Sequence, residues 1–320
     1  MKRVTIRYWI RCLVLIFLIF GMITACIHHT AKNTVYPTNL ASKDCHVIKH
    51  TMGETCVPLN PQRIVTFSLP TLGNALTLGV KPLGSTFIDM LDEHTYLEGK
   101  VDGINSLGIF PPNLEKILLI KPEMIIGWNA EKQLYPLLSQ IAPTVLFNWQ
   151  NKTWRDLFDF VTQVLGKQEA AQQAWKHYNQ RVEKLKAALG DRYKNKEISL
   201  VFLAPGVIFS EGKDSFPDFI LQDVGLQRPK AQSITLPYTQ LYFSIEELEK
   251  ADGDIMFVGT LNDDSQNFLE QLKQKPLWKH LRAVQQNHVY PINYLTWRGG
   301  NLLAADAVID DLYKYLVNSS

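Results

Sequence analysis

The chain has 320 residues, a length that can form two domains, each with its own hydrophobic core. Its 33 Lys and Arg face 31 Asp and Glu, but four of the cations fall in the first eleven residues, which leaves 29 against 31 in the remainder. This near-neutral balance, without a basic block interleaved with aromatic residues, excludes nucleic acid as an expected partner.

The N-terminal segment has the organisation of a secretion signal. Four cations precede an apolar run of about a dozen residues, shorter than the ~20 residues of a membrane-spanning helix. The tetrad that ends at Cys26, Ile-Thr-Ala-Cys, looks like a bacterial lipobox. We therefore predict a lipoprotein signal peptide over residues 1–25, lipid attachment at Cys26, and a flexible lipid-anchored tether over 26–44. An uncleaved anchor helix is the alternative, and both interpretations place the rest of the chain outside the cytoplasm.

Two cysteines, Cys45 and Cys56, flank a segment that alternates loosely and carries Met-Gly near its middle, a pattern typical of a short β-hairpin. Cross-strand placement would allow a disulfide, which an oxidising exported compartment permits. Two free thiols are the alternative. The spacing of these cysteines from His46 and His50 matches no common zinc pattern, so we predict no metal site.

Residues 45–152 alternate between strand and helix patterns. PQRIVTFS has the apolar run of a buried parallel strand, TLGNALTLGV has helical periodicity, and KPLGSTF gives a second short strand. NLEKILLIKPEMIIGW and LYPLLSQIAPTVLFN each contain a helix, a proline and a strand. The alternation predicts an N-terminal α/β lobe with a largely parallel sheet.

Residues 153–195 carry no strand pattern and predict a helical connection. Thr153 is a candidate N-cap for a helix over 154–165, and Gly166 separates it from a second helix over 168–189. At 1.5 Å per residue the second helix is about 33 Å long, enough to connect two lobes.

Strand and helix patterns resume over 196–320. They occur in the order ISLVFLA (strand), DSFPDFILQDVG and SIEELEKA (helices), DIMFVG (strand), FLEQLKQKPLWKHL (helix), HVYPI (strand) and NLLAADAVIDDLYKYL (helix). The predicted fold class is therefore α/β, with two three-layer α/β lobes joined by one long helix and a ligand cleft between them.

These segments, in this order, resemble the periplasmic binding proteins of iron–siderophore ABC importers, the branch whose lobes are joined by a single backbone helix. NLEKILLIKPEMIIG followed by the C-terminal GGN helix is the most specific combination, and the resemblance extends from Cys45 to Leu316. It implies a monomeric extracytoplasmic lipoprotein that captures a ferric siderophore, needs no cofactor, and delivers the complex to a permease and ATPase. Cobalamin or haem as ligand, and presentation of the ligand to a membrane sensor, are the alternatives.

Catalysis is not expected, because the sequence contains no GxSxG elbow, no P-loop and no GxGxxG after a strand. Open α/β sheets bind ligands at the carboxyl ends of their strands, where aromatic rings suit the apolar body of a siderophore and cations its oxygen-rich centre. The predicted ligand-binding residues are Trp297, Arg298, Tyr294, Trp128, Phe110, Phe209, Lys213, Tyr242, Tyr238 and Thr86.

Trp297 and Arg298 are the preferred pair among these residues, because they follow the last strand and precede GGN. Core packing is the alternative for each aromatic residue, and a structural role is the alternative for Arg298. Since Arg298 and Lys213 are the only evident cations of the predicted cleft, trianionic catecholate complexes are the less favoured ligands.

Two acidic residues early in predicted helices, Glu115 and Glu246, occupy positions where the helix dipole favours a carboxylate. From the residues alone they are capping or solvated charges. The resemblance implies that each docks on arginines of the permease, one glutamate per lobe, with Glu247 a less favoured substitute for Glu246.

Overall fold

The computed structural model describes residues 45–91, 95–235 and 240–318. Contacts between Cα atoms divide the chain into Met1–Asn39 and Leu40–Ser320, and every described residue belongs to the second unit. The predicted signal peptide, the lipidation of Cys26, the tether and the role of Tyr238 lie outside the described residues.

The described chain begins with the predicted β-hairpin. Strand β1 (Cys45–His50) pairs antiparallel with β2 (Gly53–Pro58). Cys45 and Cys56 form a disulfide with their Cα atoms 5.6 Å apart, within the usual range for such a bridge. The prediction of a disulfide is confirmed.

The N-terminal lobe contains a five-stranded parallel sheet. Its strands are β3 (Ile64–Thr66), β4 (Gly84–Ser85), β5 (Asn105–Ser106), β6 (Met124–Trp128) and β7 (Thr144–Phe147), in the spatial order β5-β4-β3-β6-β7. Helices α1 (Leu69–Thr77), α2 (Leu114–Ile120) and α3 (Tyr135–Ile141) connect them. The central strands are buried on both faces, which explains their continuous apolar runs.

Helices α4 (Trp154–Leu165) and α5 (Gln168–Leu189) form the connection, with the bounds that the sequence predicted. Thr153 and Asp156 form a capping box at the start of α4, and Gly166 ends the helix in the left-handed conformation with φ 63°. Helix α5 has 22 residues and a length of about 33 Å.

The C-terminal lobe contains a mixed sheet in the order β10-β9-β8-β11-β12. Strands β8 (Ile198–Ala204), β11 (Ile255–Thr260) and β12 (Val289–Asn293) are parallel, whereas β9 (Val207–Glu211) is antiparallel to both β8 and β10 (Gln240–Phe243). The helices are α6 (Phe216–Asp223), α7 (Asp263–Lys273), α8 (Pro276–Lys279), α9 (Arg282–Gln285) and α10 (Leu302–Leu312).

Three features of this lobe differ from the sequence-based expectation. Strand β9 returns from β8 through Pro205-Gly206, with Gly206 at φ 71°, and this turn signal was missed. The single helix expected over FLEQLKQKPLWKHL is divided at Pro276, which cannot donate a backbone hydrogen bond. SIEELEKA forms 3-10 turns over Ile245–Ala251.

The main hydrophobic core connects the two sheets through the helices between them. Its buried residues include Val145 of the first sheet, Leu200 of the second, Leu157 of α4, Leu185 of α5 and Val308 of α10. Because this core joins both lobes, their sheets pack on a shared helical layer. None of the helices in the described ranges is long and apolar enough to cross a bilayer.

Candidate functional site

The carboxyl edge of the first sheet is held by Ser68 and Thr86. Ser68 follows β3 with φ 106°, and its backbone N–H donates to Thr86 Oγ1 at 2.9 Å. Phe87, in the left-handed region at φ 66°, donates its N–H to the carbonyl of Gly108 at 2.8 Å. Thr86 is buried and its hydroxyl accepts a hydrogen bond from Ser68, so it stabilises this edge of the sheet and has little exposed surface for contact with a ligand.

Trp128 ends strand β6 at the same edge and is half-buried. Its backbone N–H donates to Glu131 Oε2 at 2.9 Å, and its Nε1 has no hydrogen-bond partner among the described residues. Glu131 is buried, and burial raises the pKa of its carboxyl to about 7, against the opposing effect of the Trp128 N–H. Phe110, beyond β5, is 54% exposed. Trp128 and Phe110 thus keep exposed surface beyond strands of the first sheet, and their ligand-binding role stays a prediction.

In the second lobe, Arg298 lies inside an aromatic cluster. Its Cζ is 4.9 Å from the ring centroid of Tyr294, 5.2 Å from that of Phe209 and 6.0 Å from that of Phe202. The ring of Tyr242 lies 5.8 Å from Phe209 and is 65% exposed, at the open side of the cluster. Aromatic rings attract a guanidinium through cation–π interaction, so this cluster presents one oriented cation among apolar side chains.

Polar contacts fix the same guanidinium. Arg298 Nε donates to Glu211 Oε1 at 2.6 Å, and Nη1 donates to the hydroxyl of Tyr294. Burial raises the pKa of Tyr294 and the charge of Arg298 opposes that rise, so the phenol remains protonated at neutral pH. The Arg298 side chain is 25% exposed, so part of it is accessible from solvent.

Two further residues follow strands of the second sheet, and one of them, Lys213, is a predicted ligand-binding residue. Lys213 is exposed in the turn after β9, and Thr260 ends β11 half-buried, with its hydroxyl donating to Gln266 at 3.2 Å.

Trp297 differs from its predicted position. Its side chain is fully buried, its Nε1 donates to Asp311 Oδ2 at 2.7 Å, and its ring centroid is 4.9 Å from that of Phe257. With no exposed surface, Trp297 is a core residue in this structure and does not line a cleft. Of the preferred pair, only Arg298 reaches the surface.

The GGN motif, which sequence reasoning used only as a family marker, forms the joint between the lobes. A Cβ on Gly299 would lie 2.3 Å from that of Ala304, and Gly300 has φ 61°. Asn301 is buried, caps α10 by accepting from the Ala304 N–H at 3.1 Å, and donates to the hydroxyl of Tyr96 at 2.8 Å. Gly299 leaves no room for a Cβ, and the left-handed backbone at Gly300 favours glycine.

The joint also fixes helix α1 of the first lobe. A Cβ on Gly73 would lie 2.4 Å from Cγ of Asn301, so α1 meets the start of α10 without a gap. Tyr96 and Leu69 pack in one apolar cluster with Phe87 of the first sheet edge and Leu295, which follows β12. Both carboxyl edges therefore converge on this cluster.

The two predicted docking glutamates are exposed, and neither forms an ion pair with a described residue. Glu247 instead accepts the Ser244 N–H at 3.2 Å in a capping box and pairs with Lys250. The carboxylate of Glu247 is thus held by contacts within its own turn, whereas those of Glu115 and Glu246 are exposed and form no ion pair with a described residue.

Two α/β lobes on a shared helical layer, with aromatic and cationic groups at converging strand ends, define a two-lobed solute-binding protein. A family model described as "Periplasmic binding protein" matches residues 95–294, and the chain belongs to this family. The family consists of binding proteins, so the prediction that the chain is not an enzyme is confirmed.

Relatives support the same assignment. The chain is 28% identical over 296 residues to the probable siderophore-binding lipoprotein YfiY of Bacillus subtilis, covering 88% of this chain and 91% of the relative. It is 29% identical over 265 residues to the achromobactin-binding periplasmic protein of Dickeya dadantii, and the match covers 79% of this chain and 86% of the relative. The crystal structure of Staphylococcus aureus SirA complexed with staphyloferrin B superposes with a TM-score of 0.74 at 27% identity. The match covers 85% of this chain and 98% of the SirA chain. The resemblance and the fold class stated from the sequence are confirmed.

Proposed function

We propose that this protein captures a ferric siderophore outside the cytoplasm and delivers it to the permease of an ABC importer, whose ATPase drives iron uptake. The observation that carries this proposal is Arg298, held among aromatic rings where the strand ends of the two lobes converge. Relatives named as siderophore-binding, achromobactin-binding and staphyloferrin-complexed proteins support the choice of ligand class.

The chemistry of this site suits a chelate better than a bare ion. A siderophore wraps Fe³⁺ in its own oxygen ligands, and the complex presents an apolar scaffold with partially negative oxygens outside. Tyr294 and Tyr242 match the scaffold, while the Arg298 guanidinium donates to the oxygens. Phe209 was predicted to bind the ligand, but it is only 4% exposed and packs in the core behind these rings. No group of three side chains able to hold a metal occurs in residues 45–91, 95–235 and 240–318.

Tryptophan fluorescence of the full-length protein in detergent tests the ligand class. Ferric hydroxamate, citrate-type and catecholate complexes are titrated beside cobalamin and haem. We expect saturable quenching at sub-micromolar concentration by at least one ferric complex. Quenching by cobalamin or haem alone would replace the proposed ligand by one of these alternatives.

Arg298→Met should weaken binding of that ferric complex by about ten- to hundredfold, the usual effect of removing charge-assisted hydrogen bonds. Arg282→Met is the matched control, because Arg282 lies on α9 and pairs with Glu197 and Asp252. An equal loss of affinity in the two variants would show that Arg298 does not act through direct contact with the ligand.

We propose that Glu115 and Glu246 dock on the permease, one per lobe. Their unshared, exposed carboxylates support this role, and the capping and ion-pair contacts of Glu247 argue against its being the substitute. The double variant Glu115→Ala, Glu246→Ala should abolish iron uptake and leave ligand affinity intact, while Glu247→Ala should retain uptake. Loss of affinity in the double variant would contradict docking.

We further propose that the protein acts as a monomer anchored by lipid at Cys26, with residues 26–44 as the tether and the lobes at 45–152 and 196–320. Labelled palmitate should be incorporated into the wild-type protein and lost in Cys26→Ala. Retained label would exclude acylation at that cysteine. Presentation of the ligand to a membrane sensor would show as ligand-dependent signalling without iron uptake.

A further inference from the structure

Glu211 is a buried carboxylate paired with Arg298, the partly exposed cation of the proposed site. We infer that Glu211 sets the charge preference of this site, so that the protein selects ferric complexes of low net charge over trianionic ones. This inference rests on the proposed function and specifies its ligand class.

The contact between Glu211 and Arg298 is short and shielded. Glu211 ends strand β9, is only 5% exposed, and accepts Arg298 Nε at 2.6 Å. A buried ion pair is retained as a unit, because removal of one partner leaves an uncompensated charge in a poorly solvated site. The positive charge of Arg298 is therefore largely cancelled before any ligand arrives.

A second buried pair lies behind the first and does not restore the positive charge. Arg228 Nη2 donates to Ser210 Oγ at 2.8 Å and to Gln232 Oε1 at 2.7 Å, and its Nη1 lies 3.7 Å from Asp218 Oδ1. Burial lowers the pKa of Arg228 to about 10, and the charges of Asp218 and Glu211 oppose the decrease. The guanidinium of Arg228 remains charged at neutral pH. The charges of Arg298, Glu211, Arg228 and Asp218 therefore sum to zero.

The other cation predicted near the site contributes little. Lys213 is exposed in the turn after β9, where water and salt screen its charge. The internal residues outside the described ranges, 92–94 and 236–239, contain no Lys or Arg in the sequence. The aromatic cluster thus offers directed N–H donors with little net charge.

Charge separates the main siderophore classes. Three hydroxamates neutralise Fe³⁺ and give a complex of net charge zero, whereas three doubly charged catecholates give a net charge of −3. A neutral complex can accept hydrogen bonds from Arg298 without electrostatic cost. A trianion would lose hydration on entering the site and would find no net positive charge to compensate, because Glu211 and Asp218 already neutralise the two guanidinium groups.

The test compares a ferric tris-hydroxamate with a ferric tris-catecholate by fluorescence titration of the full-length protein in detergent. Wild-type protein should bind the neutral complex at least about tenfold more tightly, which corresponds to about 1.4 kcal/mol. Glu211→Gln keeps the shape and one acceptor but removes the negative charge. It should reduce that preference by about tenfold, mainly through tighter binding of the trianion.

Glu270→Gln is the matched control. It makes the same change in net charge on α7, where Glu270 is exposed and paired with Lys273, and it should leave the preference unchanged. Equal weakening of both complexes by Glu211→Gln would assign Glu211 a purely structural role and overturn the inference. Wild-type binding of the trianion as tight as that of the neutral complex would also overturn it.

The dependence of wild-type binding on salt gives a test that needs no variant. A site with a net positive charge loses affinity for a trianion as salt rises, because screening weakens the attraction. We expect no such loss here, and a clear loss would overturn the inference. If neither ferric complex binds the wild-type protein but cobalamin or haem does, the proposed function itself fails.

Discussion

Replacing Glu131 by Gln should raise the free energy of unfolding at neutral and alkaline pH. Glu131 lies in the 3-10 turn that follows β6 and is 2% exposed. Its Oε2 accepts the N–H of Trp128 at 2.9 Å, and it forms no ion pair with a described residue. The carboxyl group is therefore buried without a cation among the described residues to stabilise its ionised form.

The magnitude follows from the pKa. Burial raises the pKa of Glu131 from 4.5 to about 7. Because the folded state binds this proton more tightly than the unfolded state, its contribution to stability is highest below the unfolded pKa. It falls as pH rises through the folded pKa and is constant above it. A difference of two to three pKa units corresponds to about 3 kcal/mol at pH 8.

Glutamine is neutral at every pH and keeps an oxygen that can accept from Trp128. The variant should therefore be more stable than wild type by about 2–3 kcal/mol at pH 8 and by less than about 1 kcal/mol at pH 5. Urea unfolding of both proteins, followed by circular dichroism at the two pH values, measures these differences.

Glu98→Gln is the control, because Glu98 is exposed and the same substitution there should change stability little at either pH. Equal stabilisation by Glu131→Gln at pH 5 and pH 8 would show that the effect is unrelated to ionisation. Destabilisation at pH 8 would show that hydrogen bonds favour the carboxylate more than burial disfavours it, and the reasoning would be wrong.

Three further substitutions test other parts of the fold through urea unfolding. Asn301→Ala should lower the free energy of unfolding by about 2–4 kcal/mol, because it removes the cap of α10 and leaves the buried hydroxyl of Tyr96 without its donor. Wild-type stability in this variant would contradict the role of Asn301 in the joint. Replacing Cys45 and Cys56 by Ser should cost about 2–3 kcal/mol, as expected for a loop closed between residues 11 apart, and reductant should destabilise only the wild type. Thr153→Ala should cost about 1 kcal/mol through loss of the capping box of α4.

Local sequence patterns predicted the parts of the fold that depend on local interactions. The bounds of α4 and α5 followed from Thr153, from helical periodicity and from Gly166, each of which acts within a turn or two of the chain. The rule that ligands bind at the carboxyl ends of strands predicts Arg298 as a site residue from the sequence alone.

The remaining features depend on contacts between distant residues. Trp297 and Arg298 are neighbours in an irregular turn, where no periodicity indicates which side chain faces the core. Glu211 meets Arg298 across 87 residues, and Tyr96 meets Asn301 across 205. A single sequence carries no signal for such pairs, apart from the unusual Gly-Gly-Asn that the joint requires.

The joint and the charge pairs together suggest how the protein recognises its ligand. Wide opening of the lobes would separate Gly73 from Asn301 and expose the buried hydroxyl of Tyr96, and the free energy that this costs disfavours a widely open state. We therefore expect small closure onto a site whose cation is already oriented by Glu211. With small closure, the distance between Glu115 and Glu246 changes little on loading. We therefore expect the permease of the proposed importer to recognise the loaded protein by a modest shift in lobe angle or by the ligand itself.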